Sequence, residues 1–482
     1  QVALSGAPTV ENEFGSFRVD LGAATWVAAA DSGPSRLDDT ADALTIWWPL
    51  ADGVGEVGLR FGAYVQPTPA RPGTEGSDPA NGLSVSLVVD REGLDAAQPA
   101  GQMGWAMAAD TGVFGLGTQI PGLDLRGRRY PLWTQEQGIS KLDEPVLWPL
   151  QSTPETAYAP MGVWHTTEGL TALADFDAYA DLDLRPEDHA TLRTWGQLPA
   201  FVLIPGDTPK DRLTALTTLT GRIERPARWT FAPWNDAVGG PARLYEVASA
   251  LRDAKIPSSA IWSEDWIGGE EGNTGYRLSY AWEWDPTHYP DLPTDIQALH
   301  AQGFAFLGYF NTFVPQPTRM YEEGVAGGFL IGDPEGGPYV FADPAFRSAS
   351  LVDLTNPAAV DWLKGYLATA AGTLAIDGWM ADFSEWLPAD AVMHSGEDAW
   401  VSHNRYPLRW QQVNTEVMTE VHGGGPSTGE GWTFFARSGW ASTWGASASR
   451  TPTMWGGDQN TDWKRDDGFP TVVPLTVHAG LS

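Results

Sequence analysis

After Pro226 the chain alternates short apolar runs with amphipathic stretches, and this restricts the fold more than any other feature of its 482 residues. The apolar runs lie at 229–233, 260–265, 304–310, 378–383, 433–436 and 452–456, with helical stretches at 241–254, 294–302, 356–374 and 408–421 between them. Strands joined through helices run parallel, because a parallel pair needs a crossover long enough to hold a helix. Asn356-Pro357 marks one helix start, with Asn as cap and Pro in the first turn. No GxGxxG motif accompanies these units, so a (β/α) barrel is predicted over a dinucleotide-binding sheet. Six strands are present where a closed barrel has eight, and residues 471–482 read as the helix after strand six. The expectation is an α/β chain with a (β/α)8-type barrel of about six strands, incomplete at its C-terminal end and completed by remaining C-terminal polypeptide.

Residues 1 to about 205 read differently. Apolar or alternating runs at 44–50, 55–65, 82–89, 105–116 and 169–184 are separated by Gly, Pro, Asp and Ser clusters. The Pro- and Gly-rich segment 66–79 reads as a surface loop. Many strands without a strong helical period predict an N-terminal β-sandwich. A helix at 209–223 and the punctuation at 224–226 close it, which places the domains at 1–225 and 226–482.

Charge and composition exclude several functions. Lys and Arg total 29 against 61 Asp and Glu, a net charge of −32 that repels phosphate backbones and anionic membranes, so nucleic-acid binding is not expected. There is no cysteine, hence no disulfide framework and no thiolate chemistry. No run of 18 apolar residues is long enough for a membrane span. The chain begins at Gln1, and its acidity and lack of cysteine fit a mature secreted or periplasmic protein. The eight His show no metal-ligand spacing, so no metal and no cofactor are expected. GPSTG at 425–429 follows a helix, lacks the strand–turn–helix of a nucleophile elbow, and reads as a loop. The 24 Trp exceed what core packing was expected to need; flat indole faces suit sugar rings, so carbohydrate is the substrate class to test.

Barrel enzymes carry their chemistry at the C-terminal ends of the strands. Those ends hold Asn235 and Asp236, Glu264 and Asp265, Asn311, Asp382 and Glu385, Arg437, and Asp458. Asp382 ends an apolar strand walled by Trp379, Phe383 and Trp386, where a carboxylate serves as nucleophile or charge stabiliser. Asp458 follows Trp455-Gly456-Gly457, whose indole is expected to raise the carboxyl pKa. A turn cap is the competing reading of each. Two acids on separate strands are what glycoside hydrolysis requires.

The stretches DGWMADFSEWLP (377–388) and WGGDQNTDW (455–463) resemble glycoside hydrolase family 31, in particular its sulfoquinovosidase-like members. LDLRGRRYPLWTQEQG (123–138), VDLTNP (352–357) and ARSG (436–439) extend the resemblance, which runs from about residue 112 onwards. It implies a retaining exo-α-glycosidase, with Asp382 matching the nucleophile, Asp458 the general acid/base, and Arg437 an arginine that hydrogen-bonds sugar hydroxyls. The stretch 132–139, which contains Glu136, resembles the loop that the family's sandwich sends into the active site. Family members carry two further barrel strands and C-terminal β domains.

For the substrate, the resemblance implies a sulfonate held by Arg277. Tyr280 stands where those enzymes carry Trp, Val238 where they carry Gln or Lys, and Glu264 at a position filled by Gln or Glu. The resemblance implies a terminal α-linked sugar such as sulfoquinovose or another sugar modified at its terminal carbon, the departures at Tyr280 and Val238 counting against sulfoquinovose itself, with Glu264, Asp265, Arg277, Tyr280, Trp379, Arg437 and Glu136 as expected substrate contacts. An ordinary α-glucosidase or α-xylosidase, and a catalytically inactive carbohydrate-binding homologue, are the alternatives.

Overall fold

The computed structural model describes residues 1–482 apart from 4–8, 14, 21–25, 65–81, 93–98, 138–152, 273–274, 344–346, 445–451 and 464–467. The expected loop at 66–79 and the end of the 132–139 loop fall outside the described residues.

Two antiparallel sheets of six and eight strands make up the N-terminal part. Strand Gly82–Asp90 shows why they stack: Val85 and Leu87, two residues apart, are buried on one face. They pack with Val57 of their own sheet and with Met103, Leu182 and Leu192 of the other in one apolar core. Two apolar runs that read as single strands are each broken in two. Residues 105–116 divide between Ala100–Ala106 in the six-stranded sheet and Val113–Gly115 in the eight-stranded one. Residues 169–184 divide likewise into Thr171–Ala174 and Ala180–Asp183. Both segments cross between the sheets, and period-2 patterning is silent about which sheet a strand joins.

The second part is a parallel sheet of six strands in sequential order: Trp234–Asp236, Ala260–Trp262, Ala305–Phe310, Gly378–Ala381, Thr433–Ala436 and Thr453–Met454. Helices Pro241–Asp253, Leu292–His300, Pro357–Ala368 and Tyr406–His422 lie between the strands. The Asn356 side chain caps Pro357–Ala368 by accepting from the Ala358 amide. The first strand begins later than expected. Residues 228–231 form a short 3₁₀ turn, and pairing starts only after Pro233, which has no amide hydrogen to give to a ladder. The first and sixth strands do not pair with each other among the described residues, so this part is a sheet of six barrel strands rather than a closed barrel.

The sandwich is docked onto this sheet by buried polar contacts. Asp177, where the chain leaves strand Thr171–Ala174, accepts from Trp440 Nε1 at 2.8 Å, Ser442 Oγ at 2.5 Å and Arg405 Nε at 2.8 Å. The indole of Trp133 lies flat on the His403 ring, 3.9 Å between centroids. The two nitrogens of that ring sit 2.6 Å from the carbonyls of Thr134 and Leu387, one from each part of the protein. The last helix, Val472–Leu481, returns to the sandwich, where His478 Nδ1 accepts from the Gly115 amide. Among the described residues eight Trp have essentially fully buried side chains, so the tryptophan content is partly core packing, contrary to the reading from composition.

Candidate active site

Arg437 follows the fifth barrel strand and is 3% exposed. Its Nε lies 3.3 Å from Asp382 Oδ1 and its Nη1 3.2 Å from Asp458 Oδ2. Its Nη2 donates to Glu385 Oε1 at 2.6 Å and to Glu136 Oε2 at 3.2 Å. One guanidinium thus gathers four carboxylates, three from the ends of barrel strands and one from the sandwich loop. A planar fork with five N–H donors can do this; an ammonium cannot. The rings of Tyr158 and Phe383 each lie 4.3 Å from its central carbon. Burial works against its charge, but Asp382, Glu385, Tyr158 and Glu136 outweigh burial and hold its pKa well above the ordinary value.

Asp382 is the residue after the fourth strand and is 7% exposed. Burial pushes its carboxyl above the usual range, Arg437 pulls the other way, and Asp458 adds to the rise. Its two oxygens differ. Oδ2 accepts from Tyr309 OH at 2.7 Å, whereas Oδ1 is buried and has no hydrogen-bonding partner. Tyr309 in turn accepts from Asn311 Nδ2 at 3.2 Å. Immediately after Asp382, Phe383 (φ 59°) and Ser384 (φ 85°) hold left-handed backbone that side-chain-bearing residues rarely adopt. That turn brings the Phe383 ring to Arg437.

Asp458 differs from Asp382 in solvent contact. Its side chain is 65% exposed and accepts from Arg437 and, at 3.4 Å, from Tyr158 OH. Tyr158 also donates to Glu136 Oε1 at 2.6 Å, and the Glu136 amide donates to the Gly15 carbonyl at 2.8 Å. Gly15 turns the hairpin of Thr9–Glu13 and Ser16–Asp20, and a side chain there would collide with the Trp386 indole. The N-terminal sandwich therefore contributes directly to the wall of the site.

Glu264 follows the second strand and is half-buried. Burial first, and then the charges of Asp236, Asp382, Asp458 and Asp265, raise its pKa to about 8. A carboxyl raised in this way favours its neutral form, which can donate a hydrogen bond. Burial likewise lifts Glu385 to about 7, against the pull of Arg437 and a hydrogen bond from Ser438. Tyr280, with its backbone in the left-handed region, lies 5.4 Å from the Tyr309 ring and hydrogen-bonds with that residue.

Two expected contacts take other positions. Trp379 is fully buried and donates to Asn414 Oδ1 on helix Tyr406–His422 at 2.6 Å. It neighbours Asp382 at odd spacing on a strand, so it faces the helix layer when Asp382 faces inward, and it is a core residue. Asp265 is fully buried too, with its carboxylate engaged by five protein donors. Arg277 sits half-buried on strand Gly275–Leu278 of a hairpin after the second barrel strand, in register with Glu270. Tyr309 and Tyr158 did not emerge from the sequence. Strand Ala305–Phe310 is buried on both faces and gave no alternation that would single out Tyr309; Tyr158 lies in a sandwich segment outside the strands.

Residues 223–471 match the family model for the glycosyl hydrolases family 31 TIM-barrel domain. The chain belongs to glycoside hydrolase family 31. This family member is 31% identical over 378 residues to a sulfoquinovosidase of Escherichia coli (strain K12), covering 77% of this chain and 54% of the relative. It is 31% identical over 386 residues to a sulfoquinovosidase of Agrobacterium fabrum, covering 77% and 56%. An α-xylosidase XylQ of Lactiplantibacillus pentosus is 24% identical over 328 residues, covering 66% and 40%. Among solved structures, a family 31 sulfoquinovosidase from E. rectale in complex with an aza-sugar inhibitor superposes with a TM-score of 0.83 at 25% identity, covering 100% of this chain and 68% of that one. The chain spans about half the length of the curated relatives it matches.

Proposed function

We propose that the chain carries the catalytic site of a retaining exo-α-glycosidase acting on a terminal α-linked sugar with an anionic group on its terminal carbon, sulfoquinovose being the leading candidate. The observation that carries the reading is the asymmetry of Asp382: Oδ2 is tied to Tyr309, while Oδ1 is without a hydrogen bond and faces Arg437 Nε at 3.3 Å. A free lone pair on an immobilised carboxylate is what attack on an anomeric carbon requires. Asp458 shares the same guanidinium but is open to water, which suits protonation of the leaving oxygen and then activation of the incoming water. The Glu136 loop and Tyr158 wall the site from the sandwich side, which suits a pocket for one terminal sugar.

The anionic substrate rests on two supports. The relatives at 31% identity are sulfoquinovosidases. Arg277 provides a guanidinium, and the protonated Glu264 avoids a full negative charge beside a sulfonate. A neutral α-glucoside or α-xyloside is the second reading, favoured by Tyr280 in place of the expected Trp and by the more distant α-xylosidase relative. In either case we read the six-stranded sheet as completed by further polypeptide. The support is its two outer strands, which do not pair with each other among the described residues, and the half-length coverage of the relatives.

The test is turnover of an aryl α-glycoside panel by the full-length protein, including a sulfoquinovoside, with the first-formed anomer read by NMR. Retention of the α-anomer, with loss of turnover in Asp382→Asn, supports the assignment. An initial β-anomer, or full activity in that variant, rejects it. No turnover of any member would favour a carbohydrate-binding homologue.

A further inference from the structure

Asp265 was expected to touch the sugar, yet its carboxylate is fully occupied by protein. Oδ2 accepts from the Gly239 amide at 2.8 Å, Tyr276 OH at 2.5 Å and His288 Nε2 at 2.6 Å. Oδ1 accepts from Ser263 Oγ at 2.7 Å and Tyr289 OH at 2.6 Å. Five donors exceed the roughly four lone-pair sites of a carboxylate, which leaves none for a ligand. Burial alone would raise its pKa; hydrogen bonds from Tyr276, Tyr289, Ser263 and His288 outweigh burial and bring it down to about 2.

The donors come from separate parts of the chain. Tyr276 lies on the second strand of the hairpin Gly269–Gly272 and Gly275–Leu278, one residue before Arg277. His288 and Tyr289 lie on the turn after that hairpin, and Gly239 lies after the first barrel strand. The hairpin is shaped to make this contact. A side chain on Gly269 would occupy the place of the Tyr276 phenol, and Gly268 adopts φ 100° beside Ser279 and Asp285. Two backbone bonds close the base: the Ser279 amide to the Gly268 carbonyl at 2.9 Å, and the Asp285 amide to the Trp266 carbonyl at 3.0 Å. Tyr280 follows at once, joined through Tyr309 to Asp382.

We propose that Asp265 is a positioning residue, which through Tyr276 and His288 pins the hairpin so that Arg277 is presented to the terminal carbon of the sugar. This rests on the reading that Arg277 selects an anionic substrate. Neighbouring residues on a strand face opposite sides, so a Tyr276 phenol anchored to the barrel sends Arg277 to the other face of the hairpin. The rigid strand end thus supplies geometry that a free loop would lose to conformational entropy.

The experiment compares an aryl α-sulfoquinovoside with an aryl α-glucoside on the full-length protein carrying Tyr276→Phe, His288→Gln, Arg277→Lys or Tyr276→Phe with Arg277→Lys. Tyr276→Phe and His288→Gln should each raise KM for the sulfonated glycoside by roughly three- to tenfold, with kcat/KM on the glucoside within about twofold of wild type. In the Arg277→Lys background Tyr276→Phe should add little, because it acts through Arg277. Equal losses on both substrates, or full additivity, would reduce Asp265 to a structural role and overturn the proposal. Selectivity altered by Arg277→Lys but untouched by both anchor variants would overturn the positioning and leave the Arg277 reading intact. A wild type without preference for the sulfonated glycoside would overturn the Arg277 reading and the proposal with it.

Discussion

Arg437→Met isolates what the central guanidinium does. Methionine keeps most of the length but removes the charge between Asp382, Glu385, Glu136 and Asp458. Glu385, fully buried, is the member left worst off, because its 2.6 Å ion pair is the shortest. Breaking a buried pair by removing one partner costs about 3–5 kcal/mol. The cost depends on pH in a definite direction. The folded pKa of Glu385 is already raised to about 7 with Arg437 present, and loss of the arginine raises it further. The unfolded value is about 4.3, so between the two the native state holds more protons and stability falls as pH rises. The deficit of Arg437→Met relative to wild type should therefore be larger at pH 8 than at pH 5.5. Adding Glu385→Gln removes the stranded charge, so the double variant should recover about 1 kcal/mol or more at pH 8. Urea unfolding by tryptophan fluorescence and near-UV circular dichroism measures this, with coincidence of the two probes checked first. A deficit independent of pH, or strictly additive losses in the double variant, would refute the argument that Arg437 neutralises buried Glu385.

Two further outcomes follow from the same geometry, beside the loss of turnover in Asp382→Asn, expected at roughly 10³-fold or more in kcat. Glu264 ionises near pH 8, and a carboxylate there adds negative charge beside Asp382; kcat/KM for a sulfonated substrate should fall above about that pH, and Glu264→Gln should flatten the decline in a pH–rate profile. Trp133→Ala removes a fully buried indole stacked on His403 and should cost about 3–5 kcal/mol; because the same segment carries Glu136, kcat/KM on any aryl glycoside should fall along with the denaturation midpoint.

Five of the six parallel strands were legible as short apolar runs within the strand–helix alternation, whereas the first, Trp234–Asp236, lies just beyond the run that was expected to form it. Asp382, Arg437 and Asp458 were legible for a related reason: strand ends in such a fold converge at one end, so chemistry-bearing residues at successive ends meet there. Trp379 was misread because it lies on the strand that Asp382 follows, at odd spacing and so on the opposite face, and no composition rule says which face is inward. Asp265 was misread because its partners Tyr276, His288 and Tyr289 sit 11, 23 and 24 residues away on a hairpin and a turn whose packing is not periodic.

The sequence by itself determined the alternation of strands and helices after Pro226, that the second part is parallel, and which acids end its strands. Those follow from short-range sterics and from the need to bury one face of each element. Only the tertiary structure decided that Glu136 and Tyr158 of the sandwich reach Arg437, that Asp382 turns Oδ1 to Arg437 without a hydrogen bond while Tyr309 holds Oδ2, and that burial among carboxylates raises the pKa of Glu264. Each depends on groups brought within hydrogen-bonding or Coulombic range from far apart in the chain. Such interactions vary with distance and burial rather than with residue spacing, so they acquire a value only once the sandwich is seated on the barrel strands.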